Sequence, residues 1–398
     1  MNSPSLTPGA AQALSRDLGA NLRRAIAATG IAVQILSRSD STLRGHYPGE
    51  VDALMHALQL PDLPRILVPC FFEGGRYTAD DVHYVAEGSR LVPAAQTPYA
   101  GDAVFGYRNA NLRDWVVEKT GGLVAAERIA SISLADVRTG GPGAVRERLL
   151  ALRPGDCCIV NALAYQDLEV FTAGLLDAEA QGKAFVFRTA ASFVRVRAGI
   201  RPRGLLDRDA IAVAGSRRGG LFVVGSYVPK TSAQLAALLA GKTVAAVEVR
   251  VDDMLNPVRR SDAVAAAIAA ADRALDAGRD TVVFTSRTLV TGADAASSLE
   301  IGRQVSDSLV AIVRGIGCRP RYVVAKGGIT SSDVATAGLE ARRAMIMGQV
   351  LPGVPVWQLG DETRWPGLAY VVFPGNVGDD HALEEVRRRL QPKGGANA

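Results

Sequence analysis

The chain has 398 residues, more than one ordinary hydrophobic core can organise, so two domains are expected. Hydrophobic residues make up 48% and charged residues 21%, which excludes a disordered chain, and no apolar run is long enough to span a membrane. The net charge is +5, with the basic residues scattered, so an anionic small molecule is expected as partner and nucleic acid is not. Arg387-Arg388-Arg389 reads as the solvated end of a helix, where cations suit the helix dipole.

In chain order, residues 1–9 are Pro- and Ser-rich and are expected to fray. Leu14, Leu18, Leu22 and Ile26 recur at helical spacing up to Gly30. Residues 31–36 form a mostly apolar run, read as a strand buried on both faces of a parallel sheet. It leads into Asp40-Ser41-Thr42-Leu43-Arg44-Gly45, a loop dense in functional groups at the carboxyl end of a strand, where open α/β sheets bind ligands. Arginine can grip a carboxylate bidentately, and an aspartate can take a hydroxyl proton; a polar loop with Asp-Ser as cap is the alternative. A helix over 48–60 and a strand over 66–70 follow, ending in Glu73-Gly74-Gly75-Arg76. Residues 88–110 read as loop-rich with short extended pieces, followed by a short helix at 115–120 and another at 145–150. Then come a strand over 157–160, a helix over 168–180 and a strand over 184–187, so the first half reads as α/β with a mainly parallel sheet.

Residues 199–220 lack periodicity and mark a boundary, giving domains over 1–215 and 216–398. The second half opens with the strand 221–224 and Gly225-Ser226, then a helix near Thr231. Strands over 244–249 and 282–285 alternate with helices over 264–275 and 301–316. Tyr322-Val323-Val324-Ala325 runs into Lys326-Gly327-Gly328-Ile329-Thr330-Ser331-Ser332-Asp333. Glycines let backbone N–H groups approach a phosphate, and hydroxyls and a helix start near Ser332 or Asp333 would add to such a cradle. A plain strand-to-helix turn with Ser or Asp as N-cap is the other reading. That helix is expected to run through Met347, with strands near Val356 and over 370–373 and a last helix over 379–390. No internal repeat is present.

Several chemistries are excluded. Gly241-Lys242-Thr243 looks like the end of a P-loop, but Ala236 stands where the first glycine belongs and a strand follows instead of precedes. There is no dinucleotide fingerprint, no serine-hydrolase elbow, and no metal spacing among Cys70, Cys157, Cys158, Cys318 or the histidines His46, His56, His83 and His381, so no protein metal site is expected. Buried reduced thiols and no basic-then-apolar leader point to a cytoplasmic protein.

Asp40-Ser41-Thr42-Leu43-Arg44-Gly45, Glu73-Gly74-Gly75-Arg76, Lys326 to Asp333, Pro352-Gly353-Val354-Pro355-Val356-Trp357 and Phe373-Pro374-Gly375-Asn376-Val377-Gly378 occur in this order. Together they resemble the four-carbon acid sugar kinase family, formerly a domain family of unknown function, over nearly the whole chain. The resemblance implies two α/β domains with substrate and nucleotide bound between them. It implies ATP-dependent phosphorylation of threonate, erythronate or 3-oxo-tetronate on the terminal hydroxyl. Ser226, Gly327, Gly328, Ile329, Thr330, Gly375, Asn376, Val377 and Gly378 would line ATP. Ser41, Arg44 and Arg76 would hold the sugar acid, with Asp40 as the candidate base and Mg²⁺ accompanying ATP. Family members open with a strand and an Ala-Asp-Asp-x-Thr-Gly motif that this chain lacks. The expectation is therefore a shortened form with little turnover, or a relative that only binds nucleotide or metabolite. A homo-oligomer is compatible with the sequence, which does not name the acid.

Overall fold

The computed structural model describes residues 6–391 except Pro61, residues 212–216 and Leu289. Residues 1–5 of the expected frayed start, and residues 212–216 of the expected boundary, lie outside the described residues. The chain divides into two compact units, one over Leu6–Pro202 and one from Arg203 onward. Among the described residues no helix is long and apolar enough to cross a membrane.

In the first unit the elements run α1 (Pro8–Thr29), β1 (Leu36–Arg38), α2 (Gly49–Ala57), β2 (Arg65–Val68), β3 (Arg76–Ala79), β4 (Val82–Glu87) and β5 (Arg90–Pro93). Then follow α3 (Leu112–Lys119), β6 (Ile129–Ile132), α4 (Leu134–Arg138), α5 (Gly141–Leu150), β7 (Cys157–Val160), α6 (Tyr165–Ala180), β8 (Val186–Thr189) and α7 (Ala191–Arg197). The main sheet has the order β1-β8-β2-β7-β6 and is parallel throughout. Its strands are short apolar runs because both faces are covered. Ile66, Val68, Cys158 and Val160 point into a core with Val145, Leu168, Phe171 and Phe193. Leu67, Cys157 and Ile159 point the other way, onto Leu112, Trp115 and Val116 of α3. The two adjacent cysteines thus serve opposite cores. A second sheet, the antiparallel β3–β4–β5, adds two strands over 76–87 that the sequence reading did not assign, while β5 is one of the short extended pieces expected within 88–110.

Near the start, one expectation holds and one is corrected. Helix α1 exists, capped by Thr7 Oγ1 and closed by Gly30 in the left-handed region, but it does not bury its leucine stripe. Its buried residues are Ala11, Ser15 and Gly19. A Cβ at Gly19 would stand 2.5 Å from Cβ of Ala57, so small residues bring α1 onto α2. The strand expected over 31–36 starts only at Leu36, and Ile31 and Val33 are 63% and 43% exposed. β1 is an edge strand whose register with β8 begins at Leu36–Phe187; Ile35 O still accepts from Phe187 N–H (3.3 Å), but residues 31–34 do not enter the ladder.

The second unit comprises α8 (Arg208–Ile211), β9 (Leu221–Val224), α9 (Pro229–Ala240), β10 (Ala245–Val249), α10 (Val251–Leu255), α11 (Arg260–Asp276), β11 (Thr281–Thr285) and α12 (Ala295–Gly315). It continues with β12 (Tyr322–Lys326), α13 (Gly328–Asp333), β13 (Ala344–Leu351), β14 (Val354–Leu359), β15 (Ala369–Phe373) and α14 (Ala382–Leu390). Sheet order is β10-β11-β9-β12-β15-β14-β13, parallel from β10 to β15 and antiparallel in the last two pairs. Helices α11 and α12 cover one face through Ala271, Leu275, Leu309, Ile312 and Val313. The helix after β12 starts at Gly328, earlier than expected, and winds through a π-helical turn, Val334–Gly338, instead of reaching Met347. Residues 344–351 are strand because they pair with β14.

Candidate functional site

Two polar clusters stand at carboxyl ends of parallel strands, one in each unit. The first is built on the loop after β1, tied to the sheet by Ser39 N–H donating to Thr189 O (2.8 Å). Asp40 Oδ1 accepts from Thr42 N–H (2.6 Å) and from the Thr42 hydroxyl. This turn places Leu43 at φ 67° and seats its side chain in the core. Arg44 then has every arm engaged: Nε on Thr42 Oγ1 (3.0 Å), Nη2 on Asp40 (3.3 Å) and Nη1 on Asp102 (3.3 Å). Burial pushes the Asp40 carboxyl upward, but Arg44 and the Thr42 donors outweigh it and hold the pKa below the ordinary value. Arg76 is 1% exposed and donates to Gly74 O and to Tyr99 Oη (3.4 Å). The Tyr99 ring lies under both guanidiniums, 5.3 Å from Arg44 and 5.7 Å from Arg76. The glycines of the Glu73-Gly74-Gly75-Arg76 stretch thus supply a carbonyl that fixes Arg76.

The loop is held from beneath. The carbonyl of Ser41 accepts from Nε2 of His83 (2.8 Å), and Nδ1 of His83 lies 3.0 Å from Thr78 Oγ1. Burial lowers the His83 pKa to about 4, so the ring is neutral and Nδ1 accepts from the threonine. Tyr107 Oη donates to Thr42 O (2.8 Å) and Arg188 donates to Arg44 O (3.2 Å). Arg188 itself lies 5.3 Å from the Tyr47 ring centroid and 5.0 Å from that of Trp115, two rings stacked on each other at 4.8 Å. Asp40, Ser41, Arg44 and Arg76 are therefore brought into one network. Sequence reasoning missed Tyr99 and Asp102, which come from a loop without periodicity.

The second cluster lies where sheet order reverses, between β9 and β12, the crevice in which such sheets bind ligands. Ser226 follows β9, Gly327 follows β12 and Gly375 follows β15. A Cβ at Gly327 would be 2.9 Å from Cβ of Ser226, and one at Gly375 would be 3.2 Å from Ser226 Oγ. Gly327 has φ 115° and donates to Phe373 O (2.9 Å), tying the two loops together. Gly328 opens α13, and a Cβ there would meet nothing within 4 Å. Ile329 is 37% exposed and Thr330 is buried. Thr231 Oγ1 donates to Gly375 O (3.2 Å) and lies 3.3 Å from Ser226 Oγ. Gln234 holds the far end of the Gly375–Gly378 loop through Val377 O (3.0 Å) and Asp379 O (2.7 Å). Asp333 is not an N-cap: it ends α13 and accepts from Ser306 Oγ (2.6 Å).

Among the described residues no group of three or more His, Cys, Asp or Glu side chains is gathered to hold a metal ion.

The fold defines a protein of two α/β units, each with a polar cluster at the carboxyl ends of its parallel strands. Family models described as "Sugar-binding N-terminal domain" and "Nucleotide-binding C-terminal domain" match residues 1–197 and 221–383. The chain belongs to the four-carbon acid sugar kinase family. Among solved structures it is similar to a Salmonella typhimurium LT2 protein described as a candidate tRNA synthase, at TM-score 0.61 and 18% identity, covering 90% of this chain and 81% of that one. It is also similar to Haemophilus influenzae protein HI1011, of the domain family DUF1537, at TM-score 0.53 and 18% identity, covering 90% and 82%. A Bordetella bronchiseptica DUF1537 protein with bound citrate, a domain-swapped dimer, matches at TM-score 0.37 and 23% identity over 98% and 87%. No curated protein matches the chain significantly.

Proposed function

We propose that the protein transfers the γ-phosphoryl group of ATP to the terminal hydroxyl of a four-carbon acid sugar of the threonate, erythronate or 3-oxo-tetronate type. The observation that carries this reading is the glycine- and hydroxyl-lined crevice of Ser226, Gly327, Gly328, Thr330 and Gly375 to Gly378 in the domain of nucleotide-binding type. The Asp40–Arg44–Arg76 network in the domain of sugar-binding type supports a hydroxylated anion as acceptor. Backbone N–H groups at strand ends would hold the phosphate chain, with Ile329 and the loop 375–378 beside the nucleoside. Mg²⁺ would arrive with the phosphates, since it is commonly held by few protein carboxylates and by substrate oxygens.

Arg44 and Arg76 would position the sugar acid through its carboxylate, and Ser41 would lie beside it. The engagement of Asp40 with Thr42 and Arg44, and its lowered pKa, favour a positioning role over the proton-acceptor role expected from sequence. An ionised carboxylate of low basicity accepts a hydroxyl proton poorly.

The test is a coupled ADP-release assay across four-carbon acids, beside a nucleotide titration. Turnover on one of these acids is expected. Arg44→Lys should raise its KM about tenfold, since a single ammonium replaces a three-armed fork, with ATP affinity unchanged. ATP binding without turnover on any acid would leave a nucleotide binder and defeat the kinase reading.

A further inference from the structure

The second unit carries three cations around its strand-end crevice, and among the described residues none of them makes an ion pair within 4 Å, Glu248 attracting Arg287 only from further off. Arg287, two residues past β11, donates through Nη2 to Ser226 O and to Ser232 Oγ (2.9 Å). Its Nη1 is buried and, among the described residues, has no partner. Lys230, in the first turn of α9, donates to Gly378 O (3.1 Å). Lys326, the last residue of β12, is fully buried, donates to Pro374 O (2.7 Å) and lies 3.8 Å from the Phe373 ring centroid. Each cation therefore leans on a backbone carbonyl of a crevice loop.

A carbonyl satisfies one N–H but does not neutralise a charge. Buried cations are normally paired, and truly unpaired ones are costly. Burial pulls the Lys326 amine well below its ordinary pKa, and Lys230 adds to that as a like charge. An anion in the crevice would relieve both effects. A single negative group answers one cation; three distributed around the crevice suit a chain of negative groups.

We propose that Arg287 is a specificity-determining residue that reads the phosphate chain, with Nη1 as the reserved donor and Lys230 and Lys326 as flanking charges, so that the crevice selects oligophosphates over monophosphates. This assignment rests on the nucleotide reading above and deepens it. The guanidinium is anchored by Ser226 O and Ser232 Oγ, so its orientation is fixed before the ligand arrives, which spares ordering entropy on binding.

The test titrates ATP, AMP and inorganic tripolyphosphate into the wild-type protein and Arg287→Gln by calorimetry. Wild type should bind tripolyphosphate, and ATP more tightly than AMP. In Arg287→Gln, ATP and tripolyphosphate affinities should fall about tenfold or more, for loss of a charge-assisted bond, while AMP falls much less. An unchanged ATP-to-AMP ratio overturns the assignment, whether both affinities hold or both fall together as a merely structural role would give. Should Arg287→Gln not fold, Arg287→Lys replaces it: the same ratio must drop, and a wild-type ratio overturns the proposal. The two readings separate when wild-type and variant data are taken together. Arg287-dependent tripolyphosphate binding with no preference for ATP removes the nucleotide reading and keeps the anion assignment. Tight ATP binding with an unmoved ratio does the reverse, and no binding of any probe removes both.

Discussion

At the scale of single residues, the first cluster depends on a histidine that performs no chemistry. His83 must stay neutral to accept from Thr78 while donating to the Ser41 carbonyl beneath the Asp40–Arg44 loop. Its folded pKa is about 4, against an ordinary 6.5. Between these values the unfolded chain binds a proton that the folded protein refuses, so stability rises with pH through that window. The contribution is full above 6.5 and is lost as pH falls toward 4, roughly 3 kcal/mol in all. Melting curves of wild type and His83→Gln at pH 7 and pH 4 should therefore converge or cross as pH falls, by several degrees in midpoint. A constant difference between the two proteins would place no buried neutral imidazole under the loop. None of this was legible in the sequence, where His83 was one unpaired histidine among four. Asp40 and Arg44 were legible because a loop dense in charges and hydroxyls after a strand is conspicuous. Their mutual saturation was not, because Asp102, which completes it, lies 58 positions along the chain.

At the scale of elements, the turn between β12 and α13 separates two glycines that look alike in sequence. Gly327 has φ 115° and no room, with Ser226 Cβ 2.9 Å from where its own Cβ would be. Gly328 has open space instead. The fold thus requires glycine at 327, whereas at 328 the open space would be taken by an approaching phosphate. Gly327→Ala should lower the melting point, by more than 1 kcal/mol in stability given the strained φ and the close approach. Gly328→Asp should melt as wild type yet lose ATP affinity about tenfold or more by calorimetry. Full ATP affinity in a folded Gly328→Asp protein would reduce this stretch to a turn. The alternation of strands and helices was legible throughout because apolar runs such as 66–68 and 322–325 are buried on both faces. The failures have physical causes. Residues 344–351 carry a mixed pattern and become strand only through pairing with β14. Helix α1 packs by Ala11, Ser15 and Gly19, and small residues give no hydrophobic signal however close an approach they permit.

At the scale of the whole molecule, the two polar clusters fall on stretches of chain that each hold their own core. The buried clusters around Phe171 and around Trp115 draw only on residues before Pro202, and the one around Leu309 and Val323 only on residues after Arg203. Each unit approaches 200 residues, a size at which a single core buries enough surface to be stable alone. Among the described residues, the partners of Ser226, Arg287, Gly327 and Gly375 come from the second unit. Thr42, Asp40, Asp102 and Arg188, which hold Arg44, lie in the first. Expressed separately, residues 1–202 and residues 203–398 should each melt cooperatively. The second fragment should bind ATP within about threefold of the intact chain, because its phosphate-facing groups are all retained, a difference of under 1 kcal/mol. Neither fragment should release ADP in the presence of a four-carbon acid, since phosphoryl transfer needs donor and acceptor held together. A second fragment that folds but has lost ATP affinity by orders of magnitude would mean that residues before Pro202 complete the nucleotide site, and the one-ligand-per-unit division would have to be given up.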